Sequence, residues 1–155
     1  MSAESSLVPC PQCGAAVGEI HKDGCSIERC WNCGGQAIGC HCHYTLFGLD
    51  PDDYAPEELW DRFDREAAKF GGRLPWSGEY PGAAACREFE FWCRETPEGR
   101  FESCQPTELG AREDVSRLFV SGNWDREKRR WGRWDRETKS WVYTQSRADG
   151  LAPRV

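Results

Sequence analysis

The residues best suited to chemistry are ten cysteines and three histidines, and seven of those cysteines and all three histidines fall before residue 45. Two runs, Cys10-Pro-Gln-Cys13-Gly14 and Cys30-Trp-Asn-Cys33-Gly34, repeat a Cys-x-x-Cys step followed by glycine. Two intervening residues let both thiolates turn onto one ion, and the glycine permits the tight backbone that aims N–H groups at the sulfurs. Cys10, Cys13, Cys30 and Cys33 are therefore expected to form a tetrahedral four-thiolate site, which suits Zn²⁺. His21, Cys25, Cys40 and Cys42 remain, and they are expected to hold a second, interleaved Zn²⁺ on one imidazole and three thiolates. His41 or His43 can replace Cys40 or Cys42 in that set. One zinc, with Cys25, Cys40 and Cys42 as small buried hydrophobes, is the competing arrangement. A rubredoxin-like iron centre uses the same knuckle chemistry.

A catalytic zinc needs an open position beside a general acid or base. Asp23 and Glu28 lie close by in the sequence, but eight soft ligands shared by two ions leave no vacancy. The deaminase pattern, His-x-Glu followed by Pro-Cys-x-x-Cys, is not met in that order or spacing. Cys86, Cys93 and Cys104 are scattered and lack the His or Asn partner of a thiol nucleophile. The expectation is a structural metal and no enzymatic activity.

Composition narrows the setting. The chain of 155 residues has 20 Lys+Arg against 26 Asp+Glu, a net charge of −6, which disfavours whole-surface attraction to nucleic acid or anionic lipid. No apolar run reaches the roughly 18 residues of a membrane span, and residues 1–8 lack the basic and apolar regions of a secretory leader. A cytoplasmic protein is expected, where a disulfide scaffold is rare. Eight tryptophans are too many for a disordered chain. Before residue 45 only Lys22 and Arg29 stand against Glu4, Glu19, Asp23 and Glu28, so the metal segment offers phosphates few cations.

The positioning elements follow. A metal module over 8–45 leads through a linker over 46–55 to an α+β domain over 56–145, with a tail over 146–155. A helix opens at Pro56 with Glu57 and Glu58 in its first turn, carries Leu59, Trp60, Phe63, Ala67 and Phe70 on one face, and ends at Gly71-Gly72. Glu58–Arg62 and Asp61–Arg65 have the spacing of outer-face ion pairs. Leu74 to Gly82 is a turn-rich loop. Arg87 to Glu95 alternates as a strand, and Thr96 to Arg100 suits a turn with Gly99 left-handed, placing Cys93 opposite Ser103 and Cys104 beside Trp92, in preference to a two-residue loop that would pair Cys93 with Cys104. A short second helix is expected over 110–119.

Trp124-Asp-Arg-Glu-Lys-Arg-Arg-Trp131 recurs ten residues later as Trp134-Asp-Arg-Glu-Thr-Lys-Ser-Trp141. A β-meander over 119–125, 129–135 and 140–144 is favoured over a helix, because Asp-Arg-Glu reads as a turn and Trp-Val-Tyr-Thr as a strand. Residues 123–141 hold seven basic and four acidic groups, net +3, leaving −9 for the rest of the chain. Trp124, Arg129, Arg130, Trp131, Trp134 and Trp141 are therefore candidates for partner binding, including stacking on single-stranded bases. The alternative is that the rings fill the inner face of the sheet.

The string from His21 to Gln36 (HKDGCSIERCWNCGGQ) resembles a motif, HxxGCxxxxCxxCGGQ, of small, uncharacterised bacterial zinc-ribbon proteins. The stretch LPWSGEYPGAAACREFEFW, with the short helix and Trp-Asp-Arg after it, is similar to the same proteins. Trp31 departs from the Pro usual within that knuckle. The resemblance covers 8–45 firmly and 74–125 loosely. It implies zinc binding and a bacterial cytoplasmic setting, and it lends no substrate or reaction. The combined expectation is an α+β fold: an N-terminal zinc ribbon with two sites, a helix, and a small, mostly antiparallel sheet ending in the Trp-repeat meander. Its expected role is a protein-interaction adaptor or regulator. Single-stranded nucleic-acid binding and redox chemistry are the rival readings, and no membrane is expected.

Overall fold

A computed structural model describes residues 8–52 and 57–153. The metal-ligand segment is almost free of regular structure: an isolated bridge between Arg29 and Gln36 closes its second knuckle, and its one helix is α1, Cys42–Thr45. Helix α2, Glu57–Ala67, continues into a 3₁₀ turn at Ala68–Phe70. Leu59, Phe63 and Ala67 form its buried face. Gly71, at φ 97°, ends it, and the Gly72 N–H reaches back to the Ala67 carbonyl at 2.8 Å. Trp60 of the expected apolar face is 40% exposed. Arg62 lies over the Phe47 ring at 4.1 Å rather than against Glu58. The expected start at Pro56 and part of the expected linker lie outside the described residues.

The alternating segment 87–95 divides into two elements. Helix α3, Ala83–Phe89, occupies its first half, Glu90 turns left-handed at φ 61°, and only Trp92–Glu95 forms strand β1. Three alanines with full burial or nearly so, and an Asp149 carboxylate accepting the Gly82 N–H at 2.7 Å, favour the helix over the expected strand. Strand β2, Phe101–Ser103, pairs with β1 in the expected register, Cys93 opposite Ser103, around a left-handed Gly99. The Cys104 N–H bonds the Trp92 carbonyl at 3.0 Å.

The second short helix begins later than expected. Arg112–Glu113 is drawn onto the other edge of β1 as β3, and α4 runs over Val115–Ser121. Asp114 caps it by accepting the Arg117 N–H at 3.1 Å.

Strands β4, Asn123–Asp125, β5, Arg130–Asp135, and β6, Ser140–Tyr143, form the meander, with Trp124 opposite Trp131 and Trp134 opposite Trp141. The repeat builds the same loop twice. Asp125 Oδ1 accepts the N–H groups of Glu127 and Lys128, Asp135 Oδ1 those of Glu137 and Thr138, and each loop closes on a left-handed residue, Arg129 or Lys139. The fold is thus α+β with two small antiparallel sheets. Its main core joins Cys30, Trp31 and Cys42 to Phe63, Ala67, Cys86, Phe91, Leu118, Trp124 and Trp131, so the second half of the metal segment is part of that core.

Candidate metal centres

Two groups of four ligand atoms are assembled, each with every atom within 4.8 Å of the others: Cys10, Cys13, His21 and Cys25, and then Cys30, Cys33, Cys40 and Cys42. The eight residues are those expected, but each group takes four consecutive ligands where interleaving was expected. Closure entropy does not decide this, since doubling a loop costs only about 0.6 kcal/mol. The walls do. Each group has its own indole, Trp76 for the first and Trp31 for the second, and each lies in a separate apolar cluster.

In the first group the Gly14 N–H bonds the Cys10 carbonyl at 2.9 Å and the Cys10 N–H bonds the Ala15 carbonyl at 2.8 Å. A turn with Gly24 left-handed returns Cys25 toward the knuckle, and its N–H meets the Lys22 carbonyl at 3.2 Å. Cys10 Sγ and Cys25 Sγ stand 3.8 Å apart, and Cys13 Sγ stands 3.4 Å from His21 Nδ1. A tetrahedron with bonds of about 2.3 Å to sulfur has S–S edges near 3.8 Å, so the donor set fits a zinc-sized ion. Trp76 closes the group: its Nε1 donates to the Val8 carbonyl at 2.6 Å, its backbone pairs with Gly18 and Glu19, and its ring meets His21 edge-on at 5.9 Å. Burial, aided by the positive charge of Arg73, holds the His21 pKa below its usual value, which favours the neutral imidazole that a metal requires.

The second knuckle repeats the first, with Gly34 N–H to Cys30 carbonyl at 2.8 Å and Cys30 N–H to Gly35 carbonyl at 2.7 Å. The N–H groups of Asn32 and Gly35 approach the sulfurs of Cys30 and Cys33 at 3.4 Å, the role that the glycine-ended knuckles predict. Gly34 is also a point of close approach, since a Cβ there would lie 2.8 Å from Trp124 Cβ and 2.8 Å from the Trp131 ring. Trp31 sits between Phe63 and Phe70 at centroid distances of 4.9 and 5.4 Å, and its carbonyl accepts the Trp124 Nε1–H at 2.9 Å. The sulfurs share protons unequally: donation from Cys30 and Cys33 lowers the Cys40 thiol to about 7 and holds Cys42 far below the usual thiol range. A divalent cation takes the place of such shared protons.

Neither alternative histidine joins a group. His41 is the exposed, left-handed residue before α1, while His43 is buried and stacks on Trp60 at 3.8 Å. Between the two groups Glu28, 8% exposed, receives a two-pronged bond from Arg73, whose Nη2 also donates to the His21 carbonyl at 3.4 Å. No local pattern signals this pair, because its members are 45 residues apart.

The six expected partner-binding residues separate. Trp124 and Trp131 are buried against Gly34. Arg129 donates to the carbonyls of Phe70, Gly72, Gly150 and Leu151 at 2.6–3.0 Å, tying α2 and the tail to the meander. Arg130 donates to the Thr144 carbonyl at 3.2 Å. Trp134 and Trp141 stay 48% and 38% exposed, edge to face at 5.4 Å. Trp131 and Trp134 are three residues apart on one strand, so the two-residue period of a strand sends them to opposite faces. That division was readable once the strand was accepted.

No helix among the described residues is long and apolar enough to cross a membrane. No family model, curated protein or solved structure matches the chain.

Proposed function

We propose that the chain is a protein-interaction adaptor or regulator whose two zinc ions hold its fold and take no part in a reaction. The observation that carries this reading is that the chain itself supplies four ligand atoms to each group. An ion so held has no open position for water or substrate. Three thiolates with an imidazole suit zinc, and the four-thiolate group suits zinc or iron. The reduced cysteines these sites need suit the cytoplasm. A protein partner is supported by the acidic balance of the chain and by a groove of about 370 Å³ beside α2. Asp23, Glu57, Asp61 and Asp64 line that groove with the Glu28–Arg73 pair and with Ile38 and Trp60, both exposed.

Native mass spectrometry of the tagged protein drawn from its own cells tests the reading. It is expected to add two zinc masses and one further chain in fixed proportion, and Trp60→Ala is expected to release that chain while keeping both ions. Iron in the second group, or metal-dependent turnover of a redox or hydrolytic substrate, would overturn the proposal.

A further inference from the structure

The second tryptophan repeat presents an aromatic sheet face to solvent. Register and alternation place Asn123, Asp125, Arg130, Gly132, Trp134, Trp141 and Tyr143 on it, with Asp125 opposite Arg130, and the buried Trp124 and Trp131 on the other face. Gly132 makes room for a ring: a Cβ there would lie 2.9 Å from Tyr143, so Tyr143 lies across the strand, held by the Asn123 amide donating to its Oη at 3.2 Å. Trp141 and Tyr143 are two residues apart on β6, a step of about 6.8 Å. That is about twice the 3.4 Å spacing of stacked nucleotides, a separation that suits splayed bases.

Cations flank the rings at both ends. Lys128, Arg130 and Arg147 line a recess of about 560 Å³ at one end; at the other, Arg136 lines one of about 500 Å³ that it shares with Arg133, on the opposite face by alternation, and with Arg117, which lies over the Phe91 ring at 4.0 Å. Glu127 borders the first recess, and Glu88 and Glu90 the second. Several nearby acids are engaged by backbone: Asp125 and Asp135 in their loops, and Glu88 with the N–H groups of Gln145 and Ser146. Lys128 rests 5.5 Å from the Tyr143 ring centroid on a flexible stem that can swing to a phosphate.

We propose that this face binds single-stranded nucleic acid, with bases stacking on Tyr143, Trp141 and Trp134 and phosphates meeting Lys128, Arg130 and Arg136. The charge division of the chain favours an anionic occupant for this segment over the rest: net +3 over 123–141 and −9 elsewhere. An acidic peptide would use the cations and leave the rings bare, and a proline-rich peptide would do the reverse. A duplex hides the base faces that the rings require.

The test is fluorescence anisotropy of labelled oligothymidine and oligouridine with the full, zinc-loaded chain, a duplex of equal length serving as control. Single strands are expected to bind in preference, with affinity falling as salt rises. Trp134→Ala with Trp141→Ala is expected to weaken binding about ten-fold or more, while the unfolding midpoint stays near that of the parent because both rings are exposed. Lys128→Glu with Arg136→Glu is expected to reduce the salt dependence. No binding at about 50 mM salt, equal binding to duplex, or full affinity in the double tryptophan variant overturns the proposal. So does a salt-insensitive complex with a polyproline peptide, or self-association of the chain that the same tryptophan variant abolishes.

Discussion

Gly14 and Gly34 stand at the same place in two copies of one knuckle, at φ 78° and 74°, yet the structure uses them differently. A Cβ at Gly14 would meet nothing within 4 Å, whereas one at Gly34 would strike Trp124 and Trp131. Both glycines were readable as backbone devices from the motif. The second duty of Gly34 was not, because the tryptophans that press on it lie some ninety residues downstream, as does the Trp124 bond to Trp31. Gly14→Ala is expected to cost about 1 kcal/mol, the price of a left-handed L-residue. Gly34→Ala is expected to cost about 2–4 kcal/mol, because overpacking against two indoles adds to the same strain. Urea unfolding of the two zinc-loaded variants checks the ordering, and equal losses would mean that the knuckle and meander do not touch.

The elements divide by the range of the interactions that define them. Helix α2, the Cys93–Ser103 hairpin and the meander were legible because their signals are local: an apolar face, a left-handed glycine and a repeated Asx loop. Helix α3 was missed although Ala83-Ala84-Ala85 is a local helix signal, because the alternation over 87–95 competed with it; the contact at its start is long-range, the carboxylate of Asp149, 67 residues away, accepting the Gly82 N–H. Burial raises the Asp149 pKa above its ordinary 3.8 even though backbone N–H groups at Gly82 and Ala85 pull the other way. The folded chain therefore holds this proton more tightly than the unfolded chain, so the group costs stability as pH rises from about 4 through its folded-state pKa. Asp149→Asn keeps the acceptor and removes the charge. Its stability relative to the parent is expected to rise between pH 4 and pH 8 in urea titrations, and the comparison cancels the shared titration of the metal thiolates. A difference that stays flat or falls with pH would place the carboxylate in better-solvated surroundings.

At the scale of the molecule, the two candidate metal groups stand in different places in the packing. The first belongs to a small cluster with Ala15 and Trp76, whereas the second contributes Cys30 and Cys42 to the core shared by α2, α3, α4 and the meander. The candidate ligand set was legible because its eight Cys and His residues lie within one short segment. Its partition was not, because either pairing satisfies the spacing, and only the separate indole walls choose between them. A double substitution, Cys13→Ser with Cys25→Ser, distinguishes the two. Both changes fall in one consecutive group, so one ion should remain, the core should still unfold cooperatively, and the loss should be confined to the surroundings of Trp76. In an interleaved protein the same pair would damage both groups, and native mass spectrometry would find neither ion. Cys30→Ser with Cys42→Ser is expected to be far more severe, because it removes an ion from the centre of the main core and leaves buried hydroxyls among Trp31, Phe63 and Trp124. That asymmetry, one group dispensable to the core and the other built into it, follows from where the tryptophans sit.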